Sequence, residues 1–543
     1  MAAYEDLDRD ALIRLLRRRD AERQLGLVWE RDEIEADAAV NNDYVALQLD
    51  PTLSHGNAPW DNLIIEGDNF DALRALRMSH KGAIRCIYID PPYNTGNRDF
   101  VYNDRFVDKT HRFRHSLWLE FMYRRLQLAK ELLADDGVIF VSIDDNELFR
   151  LGMLMDRVFG EDNFIANIIW QKSYATKNSA LHFSTAHEYI LCFARQGSLW
   201  RPNHLPRTAE QDAGFSNPDN DPRGPWTSGP IQARNFYGAG TYPIETPSGR
   251  VIAGPPPGNY WRYSKQKFDE LDRDGRIWWG ANGGNVPRLK RFLSEVRRGV
   301  VPQTLWEYKD VGHTADAKRQ LQEILQRSGS EELFSTPKPL QLMDHILRIA
   351  TKSNDVVVDF FAGSGTTAHA VAKLNAEDGG NRKFILVSST EATEDDPDKN
   401  LCRDVCAERV RRVLGGYTNA KGQAVDGLGG GFAYLRARRV PKHRMNQKLD
   451  HAEIWSALQL VHGRPLTPWP GGGFAVDEDG EGNAVAYLAD AYPASRTRME
   501  AWLTARGAQV ATVYSWTPER YRGVDSPHDW RPIPQHLRER FGR

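Results

Sequence analysis

Apolar positions recur along this chain with two different periods, and the change from one to the other marks out its elements. In residues 117–133, LWLEFMYRRLQLAKELL, they fall three or four apart, which predicts an amphipathic helix. In residues 83–90, AIRCIYID, and 137–144, GVIFVSID, they run almost unbroken for the length of a strand. Such runs suit strands of a parallel sheet covered on both faces. The stretch 62–76, NLIIEGDNFDALRAL, predicts a short strand, a turn at Gly67-Asp68-Asn69, and a helix. Residues 188–195 predict a strand, 339–351 a helix, 355–374 a strand–loop–helix unit, 383–390 a strand and 401–414 a helix. Leucines at helical spacing among charges predict helix within 1–40. Strands alternating with helices imply an α/β sheet.

From about 196 the pattern breaks. The runs NPDNDPRGPW, AGPPPGNYWRYS and GRIWWGANGGNVPR are dense in Gly, Pro, Asn and Trp, as in a loop-rich insertion with exposed aromatics. The α/β pattern returns near 337, and a glycine-rich link at 427–439 leads into a small C-terminal region. The expected organisation is a helical N-terminal segment (1–60), the first part of an α/β domain (61–195), an insertion (196–330), the second part (331–435) and a C-terminal domain of unassigned role (436–543).

Composition narrows the class. With 543 residues, 41% hydrophobic and 27% charged, the chain reads as a globular protein of several domains. No apolar run is long enough to span a bilayer, and the mixed-charge N-terminus lacks a secretory apolar core, so a cytoplasmic protein is expected. Four cysteines, Cys86, Cys192, Cys402 and Cys406, are too few for a disulfide framework. Cys402 and Cys406 share a helix face, but zinc needs a matching second pair, so packing is expected of them. A net charge of −2 does not advertise a nucleic-acid binder. The insertion holds nineteen Lys and Arg against fourteen Asp and Glu, an excess too small to decide anything alone.

Two stretches carry chemistry. In VVVDFFAGSGTTAHA (356–370) a buried strand ends at Asp359, a glycine-rich turn follows, and a helix starts near Thr366. Gly363 and Gly365 let the backbone approach a ligand closely, with N–H groups free at the helix N-terminus. No lysine follows the second glycine, which argues against a nucleoside triphosphate. Glu391, just past the next strand, is placed to accept both ribose hydroxyls of a nucleoside. In IYIDPPYNTG (87–96), Asp90 ends a strand, where open α/β sheets place their ligands. Pro91 and Pro92 hold the following carbonyls rigidly and offer no N–H. Such an all-acceptor site suits an exocyclic amine, and Tyr93 offers a flat face for a base. Acceptors that draw the amine hydrogens out of plane would localise its lone pair, and Asp90 could take a proton. A tight structural turn, or a strand end with a proline bend, would use the same residues without any such role.

At these residues the chain resembles a known family. DPPY (90–93) and DFFAGSGT (359–366) look like motifs IV and I of the amino-methyltransferases that use S-adenosylmethionine on nucleic-acid bases. Their order resembles that of the β-class DNA adenine-N6 methyltransferases, and STPKPLQLMDHIL (335–347) resembles motif X. Together with GLVWE (26–30), NLIIEGDNFDAL (62–73), NPDNDPRGPW and WEYKDVGHTADAKRQL (306–321), these residues resemble the modification (Mod) subunits of type III restriction–modification systems over roughly 1–435. The resemblance implies a Rossmann-like methyltransferase fold with circularly permuted motif order, an inserted target-recognition domain and a small C-terminal domain. It implies catalysis by Asp90, Pro91, Pro92 and Tyr93. It implies a cofactor site of Asp68, Asp90, Lys338, Asp359, Phe361, Ala362, Gly363, Ser364, Gly365, Thr366 and Glu391. The run Ser388-Ser389-Thr390-Glu391 departs from the family's pattern around that acid.

The partners implied are double-stranded DNA, a second copy of the chain and a separate restriction helicase–nuclease. Candidate DNA contacts in the insertion are Arg223, Trp226, Arg234, Arg262, Lys265, Lys290 and Arg291. Each is as well suited to packing or a solvated surface. His182 and His187 lack a metal-binding spacing, and no metal is expected. Trp278 and Trp279 suit the packing of a small domain, and Arg17-Arg18-Arg19 a solvated helix face. Rival readings are a solitary methyltransferase, methylation of cytosine N4, RNA or a protein amide, and a non-catalytic subunit of a defence complex.

Overall fold

The computed structural model describes residues 8–22, 29, 43–96, 101–102, 105–106, 114–176, 178–296, 299–326, 334, 336–392, 396–507, 510–521 and 526–542. Of GLVWE only Trp29 lies among them, and Ser335 of the motif X stretch lies outside.

A ten-stranded sheet organises the larger compact unit, residues 1–202 and 303–543. In chain order its strands are β1 (Tyr44–Leu49), β2 (Leu63–Glu66), β3 (Ile84–Ile89), β4 (Leu133–Ile143), β5 (Phe164–Gln171), β6 (His187–Ala194), β7 (Leu305–Trp306), β8 (Val356–Asp359), β9 (Lys383–Ser388) and β10 (Ala433–Val440). Their spatial order is β1-β10-β2-β9-β8-β3-β4-β6-β5-β7. The centre, from β10 through β2, β9, β8 and β3 to β4, is parallel. There the side chains of Ile64, Ile65, Ile87, Ile89, Val357, Val358, Leu386 and Val387 are at most 1% exposed, which is why these strands read as unbroken apolar runs. β6 runs antiparallel to both β4 and β5, and β1 antiparallel to β10.

Helix Asn69–His80 starts where Asp68 accepts from the backbone N–H groups of Phe70 and Asp71, an aspartate N-cap. Helix Arg114–Leu132 buries Trp118, Met122, Leu126 and Ala129, the stripe expected from 117–133. The expected helix at 401–414 opens as a π-helical turn, Cys402–Ala407, before Glu408–Gly415. All four cysteines are buried and free.

Three expected boundaries move. The break at 435/436 falls inside β10, whose Arg436, Arg438 and Arg439 made a strand look like a linker. Arg436 pairs with Asp50 at 2.6 Å and Arg439 with Asp71 at 2.5 Å, so charges on this strand are compensated by acids while remaining partly exposed. Within the expected helical segment 1–60 there is a helix, Arg9–Glu22, but Tyr44–Leu49 is a sheet strand. The insertion is a compact unit of 203–302 rather than 196–330. Beyond it β7 extends the large sheet, and Arg412 on helix Glu408–Gly415 donates to the carbonyl of Ile324 at the end of helix Thr314–Leu325.

Unit 203–302 has a core of its own around Ile231, Ile244, Trp261, Phe268, Ile277 and Trp279. Its largest sheet pairs Trp226–Pro230, Arg288–Phe292 and Ile277–Trp278. The C-terminal residues form a four-stranded sheet, Phe474–Glu478, Asn483–Leu488, Val510–Ser515 and Asp529–Pro532. Helix His451–Val461 and helix Ile533–Gly542 place Trp455, Leu458 and Phe541 in the same hydrophobic core as Tyr44, Leu73 and Leu76.

Candidate active site

β8 and β3 are parallel neighbours, with Val357 beside Cys86 and Val358 beside Ile87. The chain leaves β8 for β9 on one side and β3 for β4 on the other. The crevice between such diverging connections, at the carboxyl ends of the strands, is where open α/β sheets hold ligands. Asp359 ends β8 and Asp90 follows β3, so the two stretches singled out by their chemistry open onto one crevice.

On the β3 side, the Tyr93 hydroxyl donates to Asp90 Oδ1 at 2.8 Å. Lys338 Nζ donates to both Asp90 oxygens at 2.7 Å and to the Tyr93 oxygen at 2.9 Å. Glu188, from β6, brings Oε2 to 3.1 Å from the Tyr93 hydroxyl and 3.6 Å from Lys338. Its Oε1 accepts from Lys172 at 2.8 Å. Trp118 Nε1 donates to the Pro92 carbonyl at 2.7 Å, which fixes the proline bend. The site is therefore not all acceptor as expected. Lys338, expected against the cofactor, turns its ammonium into the acceptor group, because two buried carboxylates draw it there.

Burial pushes the Asp90 carboxyl above the usual range, against the pull of Lys338. Burial alone would lower Lys338, but Asp90 and Glu188 outweigh it and hold the ammonium's pKa up. Glu188 is driven up by burial and down further by Lys338 and Lys172, so it stays ionised. Burial, then Asp90 and Glu188, lift the Tyr93 phenol well above its ordinary value, so it remains a donor.

On the β8 side, Asp359 accepts from Thr367 at 2.6 Å and from the Phe361 N–H at 3.1 Å. Burial pushes its carboxyl up to about 7. Gly363 and Gly365 take left-handed φ values of 49° and 75°. A Cβ on Gly363 would stand 2.7 Å from the Phe334 ring, and one on Gly365 3.1 Å from the Cys406 carbonyl oxygen. Under the loop, the buried Arg409 donates to Ser364 Oγ at 3.1 Å and Thr366 Oγ1 at 2.6 Å. Thr366 also donates to the Lys338 carbonyl at 3.2 Å, tying the loop to the stretch that carries Lys338. Asn69 holds the Phe360 carbonyl at 2.8 Å, and Arg125 pairs with Asp68 at 3.0 Å. The Phe361 ring lies 6.0 Å from that of Phe121. The Ala362 N–H donates to the Val387 carbonyl.

The remaining expected residues are scattered. Glu391 has a left-handed φ of 53° and pairs with Lys399 at the surface. In unit 203–302, Arg234, Arg262, Lys265 and Arg291 are exposed. Trp226 and Lys290 are not available to DNA as expected. Trp226 is buried with its N–H on Asp219, and the ammonium of Lys290 is enclosed by Asp219 and Asp221. Arg223 is half-buried, paired with Asp221 and lying over the Phe292 ring. His187 Nε2 is 3.0 Å from the Tyr189 hydroxyl. Among the described residues no three His, Cys, Asp or Glu side chains are grouped to hold a metal. Glu188, Lys172 and Arg409 escaped the sequence reading. Glu188 leaves a signal in hindsight, as an acid heading the otherwise apolar run EYILCFA.

Comparison with known proteins bears on this crevice. Residues 84–393, more than half of the chain and spanning both stretches, match the family model described as DNA methylase, N6_N4_Mtase. The chain belongs to that DNA methylase family. It is 36% identical over 382 residues to the Mod subunit of the type III restriction-modification enzyme StyLTI of Salmonella typhimurium, covering 65% of this chain and 57% of that protein. It is 33% identical over 348 residues to the type II methyltransferase M.KpnI of Klebsiella pneumoniae, covering 60% of this chain and 79% of that one. Among solved structures, PvuII DNA methyltransferase (cytosine-N4-specific) matches with 12% identity and a TM-score of 0.34, over 68% of this chain and 98% of that one. The chain spans under three fifths of the length of the type III Mod subunit StyLTI.

Proposed function

We propose that this DNA methylase transfers a methyl group from S-adenosylmethionine to N6 of an adenine swung out of duplex DNA, as the modification subunit of a restriction–modification system. The observation that carries the reading is the placement of Asp90 and the Gly363–Gly365 loop on neighbouring strand ends. The loop suits the cofactor. Its two glycines leave no room for a side chain, and Gly365 begins helix Thr366–Asp378 with N–H groups available to an anionic group.

In this reading Phe361, Ala362, Gly363, Ser364, Gly365 and Thr366 hold the cofactor, with Asp359, Asp68, Glu391 and the Lys338 backbone around them. When bound, S-adenosylmethionine supplies a methyl group on sulfonium sulfur, an electrophile for the amine nitrogen. Asp90 and the Pro91 carbonyl accept the two amine hydrogens and draw them from the ring plane, which raises electron density on the nitrogen. Asp90 then takes the proton released from it. Pro92, held by Trp118, keeps that geometry, and Tyr93 lies against the extruded base. Among the insertion residues, Arg234, Arg262, Lys265 and Arg291 are placed to meet phosphates or base edges. A homodimer, with a separate restriction helicase–nuclease acting at unmodified sites, completes the reading.

The test is transfer of labelled methyl from S-adenosylmethionine to genomic DNA by the purified protein, followed by digestion to nucleosides. Label on N6-methyladenine supports the reading. Label on N4-methylcytosine overturns the choice of base, and no label on DNA overturns the activity.

A further inference from the structure

We propose that Lys338 is a gate that stands where the target amine must bind, and that Glu188 is the carboxylate to which it withdraws. The inference rests on the adenine-methylating reading and adds two positioning residues to it. An ammonium that donates to both Asp90 oxygens at 2.7 Å and to Tyr93 at 2.9 Å stands on the carboxylate that, with the Pro91 carbonyl, an exocyclic amine needs. Oδ1 of Asp90 already accepts from both Lys338 and Tyr93, so the amine is left only a lone pair of Oδ2 until Lys338 draws back.

The surroundings supply a place to go. Glu188 Oε2 already lies 3.6 Å from Nζ, while Lys172 occupies the other oxygen. A shift on the order of 1 Å converts that approach into a direct hydrogen bond. Pro337 and Pro339 flank the lysine, and Thr366 holds its carbonyl, so the movement belongs to the flexible side-chain stem. The Tyr93 hydroxyl spans 2.8 Å to Asp90 and 3.1 Å to Glu188 and can follow the ammonium. Two carboxylates and two ammonium groups make a neutral set, so the shift moves no net charge into or out of the crevice. The resting contact also has a use. A carboxylate this enclosed would bind a proton without a cation beside it, and would then be a poor acceptor.

The test measures binding without cofactor. The probe is a duplex carrying the methylated sequence motif found in wild-type cells, with the target adenine opposite an abasic site so that extrusion costs little. Glu188→Gln removes the retreat and is expected to weaken binding about tenfold. Lys172→Met frees Glu188 for Lys338 and is expected to tighten binding about threefold. Adding Lys338→Met to Glu188→Gln leaves nothing to retreat, so the double variant is expected within about threefold of Lys338→Met alone. A duplex with purine in place of adenine, lacking the amine, is expected to show none of these differences.

Weakening by both Glu188→Gln and Lys172→Met, or losses that simply add in the double variant, would overturn the gate and leave the methyltransferase reading standing. The Lys172→Met arm decides the matter if Glu188→Gln does not fold. A wild-type protein that leaves no methylated base in cellular DNA takes down both.

Discussion

Asp90 and Asp359 are both buried acids at strand ends, yet their surroundings give them different work. Asp90 faces Lys338 and Tyr93, whereas Asp359 accepts hydrogen bonds from a hydroxyl and a backbone N–H. Asp90→Asn keeps the shape but loses the anionic acceptor. Its kcat on DNA is expected to fall at least about a hundredfold, read from initial rates of methyl transfer. Asp359 makes a pH prediction. Its folded carboxyl titrates at about 7 against 3.8 when unfolded, so the folded state holds the extra proton between those values. The group's contribution is therefore most favourable below about pH 4, falls as pH rises toward 7, and is flat above. The loss is at most about 4 kcal/mol. Asp359→Asn is expected to melt higher than wild type at pH 8, and by a smaller margin at pH 5. An equal margin at both would contradict this. At this scale the sequence showed which acids end strands, because an apolar run stopping at Asp is a local signal. It did not show Lys338 on Asp90, a contact across 248 residues, nor that Lys290 and Trp226 point inward.

The glycine-rich turn is decided between elements. Gly365 needs a left-handed φ and sits 3.1 Å, at its would-be Cβ, from the backbone of the π-helical turn at Cys402–Ala407. Gly365→Ala is expected to cost about 1–2 kcal/mol of stability from the backbone alone, seen as a lower denaturant midpoint. It is also expected to weaken cofactor binding in calorimetry, since the loop must move off Cys406. Unchanged values for both would mean the loop has slack that the packing does not suggest. The strands of the parallel centre were legible, because burial on both faces writes an unbroken apolar run. β10 was not, since its Arg436, Arg438 and Arg439 find acids just past β1, on β2 and in the neighbouring helices. The antiparallel direction of β6 was equally hidden, as periodicity carries no direction.

For the larger unit, the C-terminal residues are part of the main core rather than an appendage. Phe541 lies 5.2 Å from Tyr44, Arg74 stands over its ring at 4.7 Å, and Arg77 donates to its carbonyl. Removing 441–543 uncovers apolar surface worth about 1.5–3 kcal/mol for each large side chain it exposes. The whole net stability of a domain is only about 5–15 kcal/mol. A chain ending at 440 is therefore expected to be insoluble or without a cooperative melt, whereas unit 203–302, with its own core, is expected to melt cooperatively when expressed alone. A soluble, fully active chain ending at 440 would contradict this. The sequence placed the insertion because its composition changes abruptly. It missed the role of the C-terminus because shared burial leaves no mark on composition.

We propose that the Asp90 crevice methylates adenine in DNA. Single-molecule sequencing of modified bases in cells carrying the gene, beside cells carrying Asp90→Ala, tests it most directly. N6-methyladenine is expected at one short motif with the wild-type gene and none with the variant. Methyladenine that persists in the variant, or modification of cytosine alone, would contradict it.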